Sequence, residues 1–563
     1  MASIIHKIKK GRPYYYAVES ARVNGKPRIT WQKYLGTVDA IVARAEQAQA
    51  PVPKETVIFE AGGVAALLRI AQRLSLLDLL NEVVPKRDQG PTVGHYLLLA
   101  AINRALAPCS KLAIGAWYDQ TVLRRLWRFP VSAFSSQRFW DHMDLVSESA
   151  IETIQERLLP RILATFSMDP RLLLYDTTNF FTFISTTNAK ADLAQRGHSK
   201  AKRHDLRQIG LALLVTREFQ IPLLHHTYPG HVPDVALFPD MARQMIARYA
   251  KIAGAAAQPT LVFDKGNVSE DGMEELLGAG LPFVAALPWR TFPELFQVPR
   301  DRFEPVAGVP GTRAFVADTE LFGRTVRAVV SYTESFFTQQ LLGVTGNLVK
   351  CQKKLLDLDK NLCRWAEGKA RGKRPTAASV RRSLGSILSA QFMDELFHTS
   401  VVEENGLPRL AYHVDHAALQ HLSDRHLGRT LLLTDHLDWT SRDTIEAYRS
   451  LTAVEDAFKN MKHDDFLHWQ PAWHWTDQKL RVHAFYCVLA LLLASLARQT
   501  AVKAGIELSL PALLAELSTV REVALLYPPG TLGARKDHIA LSRMSPRQRK
   551  LAQTLEIASI LAG

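Results

Sequence analysis

The chain has 563 residues, 47% of them apolar and 22% charged, a balance that excludes a disordered polymer and leaves room for several domains. A formal charge of +14 points to a polyanionic partner, nucleic acid above all. Cys109, Cys351, Cys363 and Cys487 are scattered and form no CxxC, which excludes a disulfide framework and a zinc ribbon and suits a reducing compartment.

In chain order, residues 1–50 alternate apolar and polar positions around Asn24-Gly25, the pattern of a hairpin or small sheet, and lack the apolar region of a signal peptide. Residues 45–57 hold Pro51 and Pro53 and read as a linker. Residues 58–165 carry apolar residues at helical spacing, as in AALLRIAQRLSLLDLL, and predict a compact helical domain that is the candidate reader of DNA ends. From 170 to 298 the order becomes β-β-β-α-β-α-β, with helices on a mixed sheet. Residues 299–435 read as an α+β insertion. Within it Leu341, Val344, Leu348, Cys351, Leu355, Leu358, Leu362 and Trp365 form a heptad seam. The seam is barely long enough for a dimerising coiled coil, so a helical hairpin packed on the next helix is the better reading. The basic stretch GKARGKRPTAASVRR is either a DNA-backbone contact or a solvated loop. Residues 436–500 and 501–563 read as helices. The apolar run Ala484–Ala497 falls short of the ~20 residues that span a bilayer and predicts a buried helix. A cytoplasmic, nucleoid-associated protein with no membrane partner is expected.

Two acids share one context: LLLY precedes Asp176 and LVF precedes Asp264. Carboxylates that end buried strands either cap the next turn or point into a shared crevice. Two ionised acids brought close repel unless a cation sits between them, and magnesium prefers hard oxygen ligands. A third acid, Glu455, lies on the helical segment AYRSLTAVEDAFKNMKHDD, seven residues from both Tyr448 and Lys462. On one continuous helix that spacing lines all three along one side, beside an apolar stripe of Leu451, Val454, Phe458 and Met461. Between the first two core strands, GHSKAKRHDLRQ gathers Lys200, Lys202, Arg203 and Arg207, a candidate grip on the DNA backbone. Histidines 463, 468, 474 and 483 cluster among Trp469, Trp473 and Trp475 without zinc-site spacing, which favours packing or base stacking over metal. No Walker A or Rossmann glycine pattern is present.

YDTT at Asp176, DKGNVSEDG at Asp264 and Y-x6-E-x6-K at 448–462 resemble the DDE transposases of bacterial insertion sequences, in the branch with a Tyr-Arg-Glu-Lys signature and an insertion before it. YLG near the N-terminus, NRALAPCSKLAIGAWYDQT, GHSKAKRHDLRQIGLALLV and PGHVPDV resemble the same group, so the likeness spans most of the chain. It implies an α/β fold with an RNase H-like mixed-sheet core and flanking helices. It also implies two Mg²⁺ ions, or Mn²⁺ in their place, held by Asp176, Asp264 and Glu455, and double-stranded DNA as partner to a homodimer. The implied activity is cleavage at element ends and strand transfer into a target. A nuclease that cuts without joining and an inactive DNA-binding relic are the alternatives. The signature Arg, three residues after the Tyr, is here Leu451, so the family's grip on the 5′ phosphate carries over to Tyr448 and Lys462 only.

Overall fold

The computed structural model describes residues 2–23, 26–47, 53–86, 89–168, 171–197, 203–233, 236, 238, 241, 243–245, 247–249, 259–264, 270–278, 280–470, 472–527 and 538–562. The N-terminal alternation builds three antiparallel strands, β1 (Ala2–Lys9), β2 (Arg12–Val23) and β3 (Lys26–Gly36), in the order β1-β2-β3. The expected Asn24-Gly25 turn lies outside the described residues. Helix α1 (Val38–Gln47) then packs on β2 and β3, so the expected linker is helical at its start. Its other end is strand β4 (Glu55–Glu60).

Helices α2 (Gly62–Arg73), α3 (Leu76–Val83), α4 (Val93–Leu106) and α5 (Glu148–Phe166) occupy the expected helical region. Thr92 and Ser147 cap α4 and α5, their hydroxyls accepting from His95 N and Ala150 N. These helices are not a separate domain. Their apolar faces join one continuous buried cluster with the central sheet and the C-terminal helices. The reason is composition: α4 is buried along almost its whole length, and a helix apolar all round needs neighbours on every side.

The central sheet is built from β5 (Leu172–Thr182), β6 (Arg207–Thr216), β7 (Pro222–Pro229), β8 (Thr260–Phe263) and β9 (Phe283–Leu287). It continues through β10 (Glu304–Pro305), β11 (Thr312–Leu321) and β12 (Arg324–Thr333). With Arg429–Thr434 as β15, the order is β10-β11-β12-β15-β9-β8-β5-β6-β7. β5, β6 and β7 are antiparallel neighbours, whereas β5, β8 and β9 run parallel. Helix α6 (Glu270–Gly278) connects β8 to β9.

The insertion is narrower than 299–435. It begins after β12, because β10 to β12 extend the central sheet. It comprises α7 (Glu334–Ala366), α8 (Ala377–Ile387), the hairpin β13 (Phe397–Glu404) with β14 (Leu407–Val414), and α9 (His416–Arg425). β15 (Arg429–Thr434) closes it by pairing with both β12 and β9. The heptad seam faces inward: Val344, Leu348, Cys351, Leu355 and Leu362 are buried with Val380, Leu384 and Leu422 in a core of their own.

Three helices complete this part of the fold: α10 (Ser441–Arg449), α11 (Thr452–Asn460) and α12 (Asp477–Lys503). The apolar window of α12, which contains Ala484–Ala497, is 94% buried inside the protein. The C-terminal residues are not all helical. β16 (Arg521–Leu526) pairs with β4 and with β17 (His538–Leu541), tying the two ends of the chain together.

A buried polar knot joins the helical layer to α12. The Arg104 guanidinium donates to the carbonyls of His468 (3.1 Å) and Cys109 (2.7 Å). Burial, then the Arg104 charge, lowers the Lys111 ammonium to about 7, and it lies 4.3 Å from the Tyr486 ring centre. Burial also lowers His225 to about 3 and holds His474 and His483 well below the imidazole range. These imidazoles are neutral in the fold but protonate near pH 6.5 in the unfolded chain. Below that pH the unfolded state binds more protons, so stability falls as the pH drops from about 6.5 toward 3. Each such group contributes up to about 1.4 kcal/mol per pH unit. Thermal unfolding followed by circular dichroism should therefore show the midpoint falling between pH 6.5 and 4.5. His225→Phe should flatten that dependence, and an unchanged slope in the variant would contradict this account of the buried imidazole.

Candidate active site

The pairing of β5 with β8 sets the geometry. Their parallel rungs are Leu172↔Thr260, Leu173↔Leu261 and Leu174↔Val262. Asp176 and Asp264 each stand two residues beyond the last rung, Asp176 still within β5 and Asp264 just past the end of β8. Side chains alternate with period two, so Asp176 is on the face of Leu174, and the same extended path continued past β8 would set Asp264 beside it on the face of Val262. One expectation needs correcting. Asp264 directly follows β8, but Asp176 is in the middle of β5, opposite Leu213. The antiparallel partner β6 keeps β5 extended as far as Thr182↔Arg207, after the parallel partner has ended.

The α10–α11 pair lies over that face. α10 packs on β8 and β9, and α11 packs on β5. The Tyr448 hydroxyl donates to Asp264 Oδ1 at 2.7 Å. Lys462 Nζ donates to Thr178 Oγ1 at 2.8 Å and sits 5.1 Å from the Phe180 ring centre. Thr178 and Phe180 are on the same face of β5 as Asp176. Phe180 in turn stacks on buried Trp469 at 4.4 Å and 19°, a contact of about 0.5–1.5 kcal/mol beyond area burial.

Glu455 is exposed on α11. Burial first, then the Asp264 charge and its hydrogen bond, then the Glu455 charge, push the Tyr448 hydroxyl well above the usual phenol range. The Glu455 charge is thus felt at the hydroxyl that rests on Asp264. Among the described residues no three carboxylate, imidazole or thiol side chains already form a metal cage. Magnesium does not require one, since it takes one or two carboxylates and fills its shell with water and substrate phosphate. Two half-buried aspartates in register supply that donor set, with Glu455 as the third acid on the facing helix.

The segment expected to be one helix is two. Leu451 N donates to Tyr448 O at 3.0 Å and Val454 N to Leu451 O at 3.1 Å, three-residue steps that tighten the chain between α10 and α11. The Ser450 hydroxyl donates back to Ala447 O, a bond that bends helices. Tyr448 and Lys462 still both reach the sheet face. Leu451 is buried in the core. Arg449 does not replace the signature guanidinium, since its Nη2 donates to Thr312 Oγ1 at 2.7 Å on β11.

The basic segment divides. Lys200 and Lys202 lie outside the described residues. Arg203 is ion-paired with Asp205 at 2.9 Å. Arg207 holds a loop: its guanidinium donates to the carbonyls of Thr186 (2.6 Å) and Asn188 (3.0 Å), among others in 186–194. All four of these hydrogen bonds run from its two terminal nitrogens to backbone carbonyls. The histidine cluster packs as expected. His474 Nε2 and His483 Nδ1 are 3.0 Å apart, and His483 Nε2 is 2.8 Å from Trp469 O. Trp473 and Trp475 are exposed. Sequence reading missed Thr178 and Phe180, although the period of two from Asp176 was the signal for both.

No family model and no curated protein matches the chain. A cryo-EM structure of a piggyBac transposase synaptic complex with hairpin DNA is similar to it at a TM-score of 0.34 and 11% identity, over 80% of this chain and 79% of that chain. A likeness at that score adds nothing to what the residues themselves support.

If Arg207 is a loop anchor, Arg207→Leu should speed hydrogen exchange of the 186–194 amides and leave duplex affinity within about threefold. Unchanged exchange together with a tenfold loss of DNA affinity would instead mark it as a phosphate contact.

Proposed function

We propose that the chain is a DDE-type DNA transposase that cuts at the ends of an element and joins the freed ends to target DNA. The observation that carries this reading is the register of Asp176 and Asp264 on neighbouring parallel strands, beneath a helix pair that brings Tyr448, Glu455 and Lys462. An RNase H-like core is supported by three antiparallel strands that continue into two more parallel to the first.

Asp176 and Asp264 would hold two Mg²⁺ ions, with Glu455 approaching from α11. When bound, such a pair supplies an activated water or 3′-hydroxyl and steadies the leaving oxygen of an in-line displacement. The protein's own groups do the rest. Tyr448 fixes one Asp264 oxygen and so orients that carboxylate. Lys462, held by Thr178, sets a positive charge beside the aspartates where a phosphate would lie. The Phe180–Trp469 stack fixes the strand face on which both act. Double-stranded DNA is the substrate in both steps, and no covalent protein intermediate is needed.

The test incubates protein, Mg²⁺ and labelled DNA carrying the boundaries of the coding region. Wild type should give both cleavage and strand-transfer products. Glu455→Gln, a change at an exposed site, should lose cleavage by at least about 100-fold while retaining DNA binding. Nicks without joined products would select a nuclease, and binding without cleavage by wild type would select an inactive relic.

A further inference from the structure

The N-terminal 47 residues hold nine Lys or Arg against three Asp or Glu, so they carry six of the net +14 charges on a twelfth of the chain. Register shows where that charge lies. Lys9 pairs with Arg12, Lys7 with Tyr14, Tyr16 with Tyr34 and Val18 with Gln32. Directly opposed residues of antiparallel strands project from the same face. Contacts agree: Lys7 Nζ donates to Gln32 Oε1 at 3.2 Å and lies 4.9 Å from the Tyr16 ring centre. The Tyr16 and Tyr34 rings are 5.1 Å apart. Lys7, Lys9, Arg12 and Gln32 are exposed, Tyr34 is half exposed and Tyr14 and Tyr16 are partly exposed, while Val18 farther along the same face is buried, so the open part of the face is its Lys7–Lys9–Arg12 end. The three acids are elsewhere: Glu19 pairs with Ala2 and Trp31, on the opposite face, while Asp39 and Glu46 belong to α1.

We infer that this face of the β1-β2-β3 sheet docks on double-stranded DNA, lying in the major groove. The inference rests on the transposase reading for its partner, but assigns the DNA-reading surface to the sheet, not to the helices of 58–165. Those helices spend their apolar surface in the central core. The dimensions agree. The major groove, about 12 Å wide, admits a two-stranded ribbon, and β1 with β2 carries Lys7, Lys9 and Arg12. Lys7, Lys9 and Arg12 at one end of the sheet meet phosphates. The tyrosine rings pack against one another at a tilt, which leaves their faces less free for base stacking, and the Gln32 amide beside them is a group suited to base edges.

The experiment measures binding of the full chain to a duplex of roughly four helical turns across a salt titration. Lys7→Ala/Lys9→Ala/Arg12→Ala is compared with Lys353→Ala/Lys354→Ala/Lys360→Ala, which removes as much charge from exposed positions of α7. Each lost phosphate contact lowers the slope of log K against log salt by about 0.9. The sheet variant should lose about 2–3 in slope and at least about tenfold in affinity, and the α7 variant should match wild type. Equal losses in both variants, or none in the sheet variant, overturn the inference and leave Mg²⁺-dependent cleavage by wild type to stand on its own. Failure of wild type to bind any duplex overturns both.

Discussion

Two carboxylates held side by side are the constraint around which this protein is arranged. Two like charges one strand spacing apart, about 5 Å, would repel by ~3 kcal/mol at the effective dielectric near a protein surface. The register of β5 and β8 nevertheless leads Asp176 and Asp264 toward one level. Parallel pairing is what makes that possible. It requires a long crossover, which here carries β6, β7 and the helical residues before β8. Around the pair the protein adds a phenol that donates to one acid and an ammonium two positions along the strand from the other. Both lower the cost of the arrangement, and neither removes it. A divalent cation is the ligand that such a pair of acids would favour.

The rest of the fold serves the placement of α10 and α11 over that face. The inserted unit leaves the sheet after β12 and returns at β15, two strands that pair directly. An insertion between hydrogen-bonded neighbours closes on itself without changing the sheet, so it can carry a separate core and a helix of 33 residues. Return through β15 then sends the chain into α10 at a fixed point beside β9. The same economy appears at the chain ends, where β4 and β16 pair across more than four hundred residues and anchor the helical layer to the C-terminal helices.

Much of this was legible in the residues. Strong periodic signals survived: the strands β5 to β9 with their helices, the buried character of Ala484–Ala497, and the inward seam of α7. What failed depended on partners distant in sequence. Nothing local reveals that β10 to β12 extend the central sheet, because strand pairing is settled by β15, a hundred residues on. β4 was hidden for the same reason, its partner being β16. Asp176 read as a strand end because the apolar run stops there, yet backbone pairing with β6 carries the strand six residues further. Arg207 read as a free cation because carbonyl partners are invisible in a charge count, whereas the partner of Arg203, Asp205, stands two residues away in the same segment. Tyr448 and Lys462 both reach the sheet face although the helix breaks at Ser450, since a tight three-residue step changes the rotation only slightly.

The most direct test of the central claim is anomalous diffraction from crystals of the protein with a DNA end and Mn²⁺. The account predicts two manganese peaks about 3.5–4 Å apart, bridged by Asp176 and Asp264, with Glu455 turned in from α11. Peaks placed elsewhere in the molecule, or a pair of ions with neither aspartate among the ligands, would contradict it.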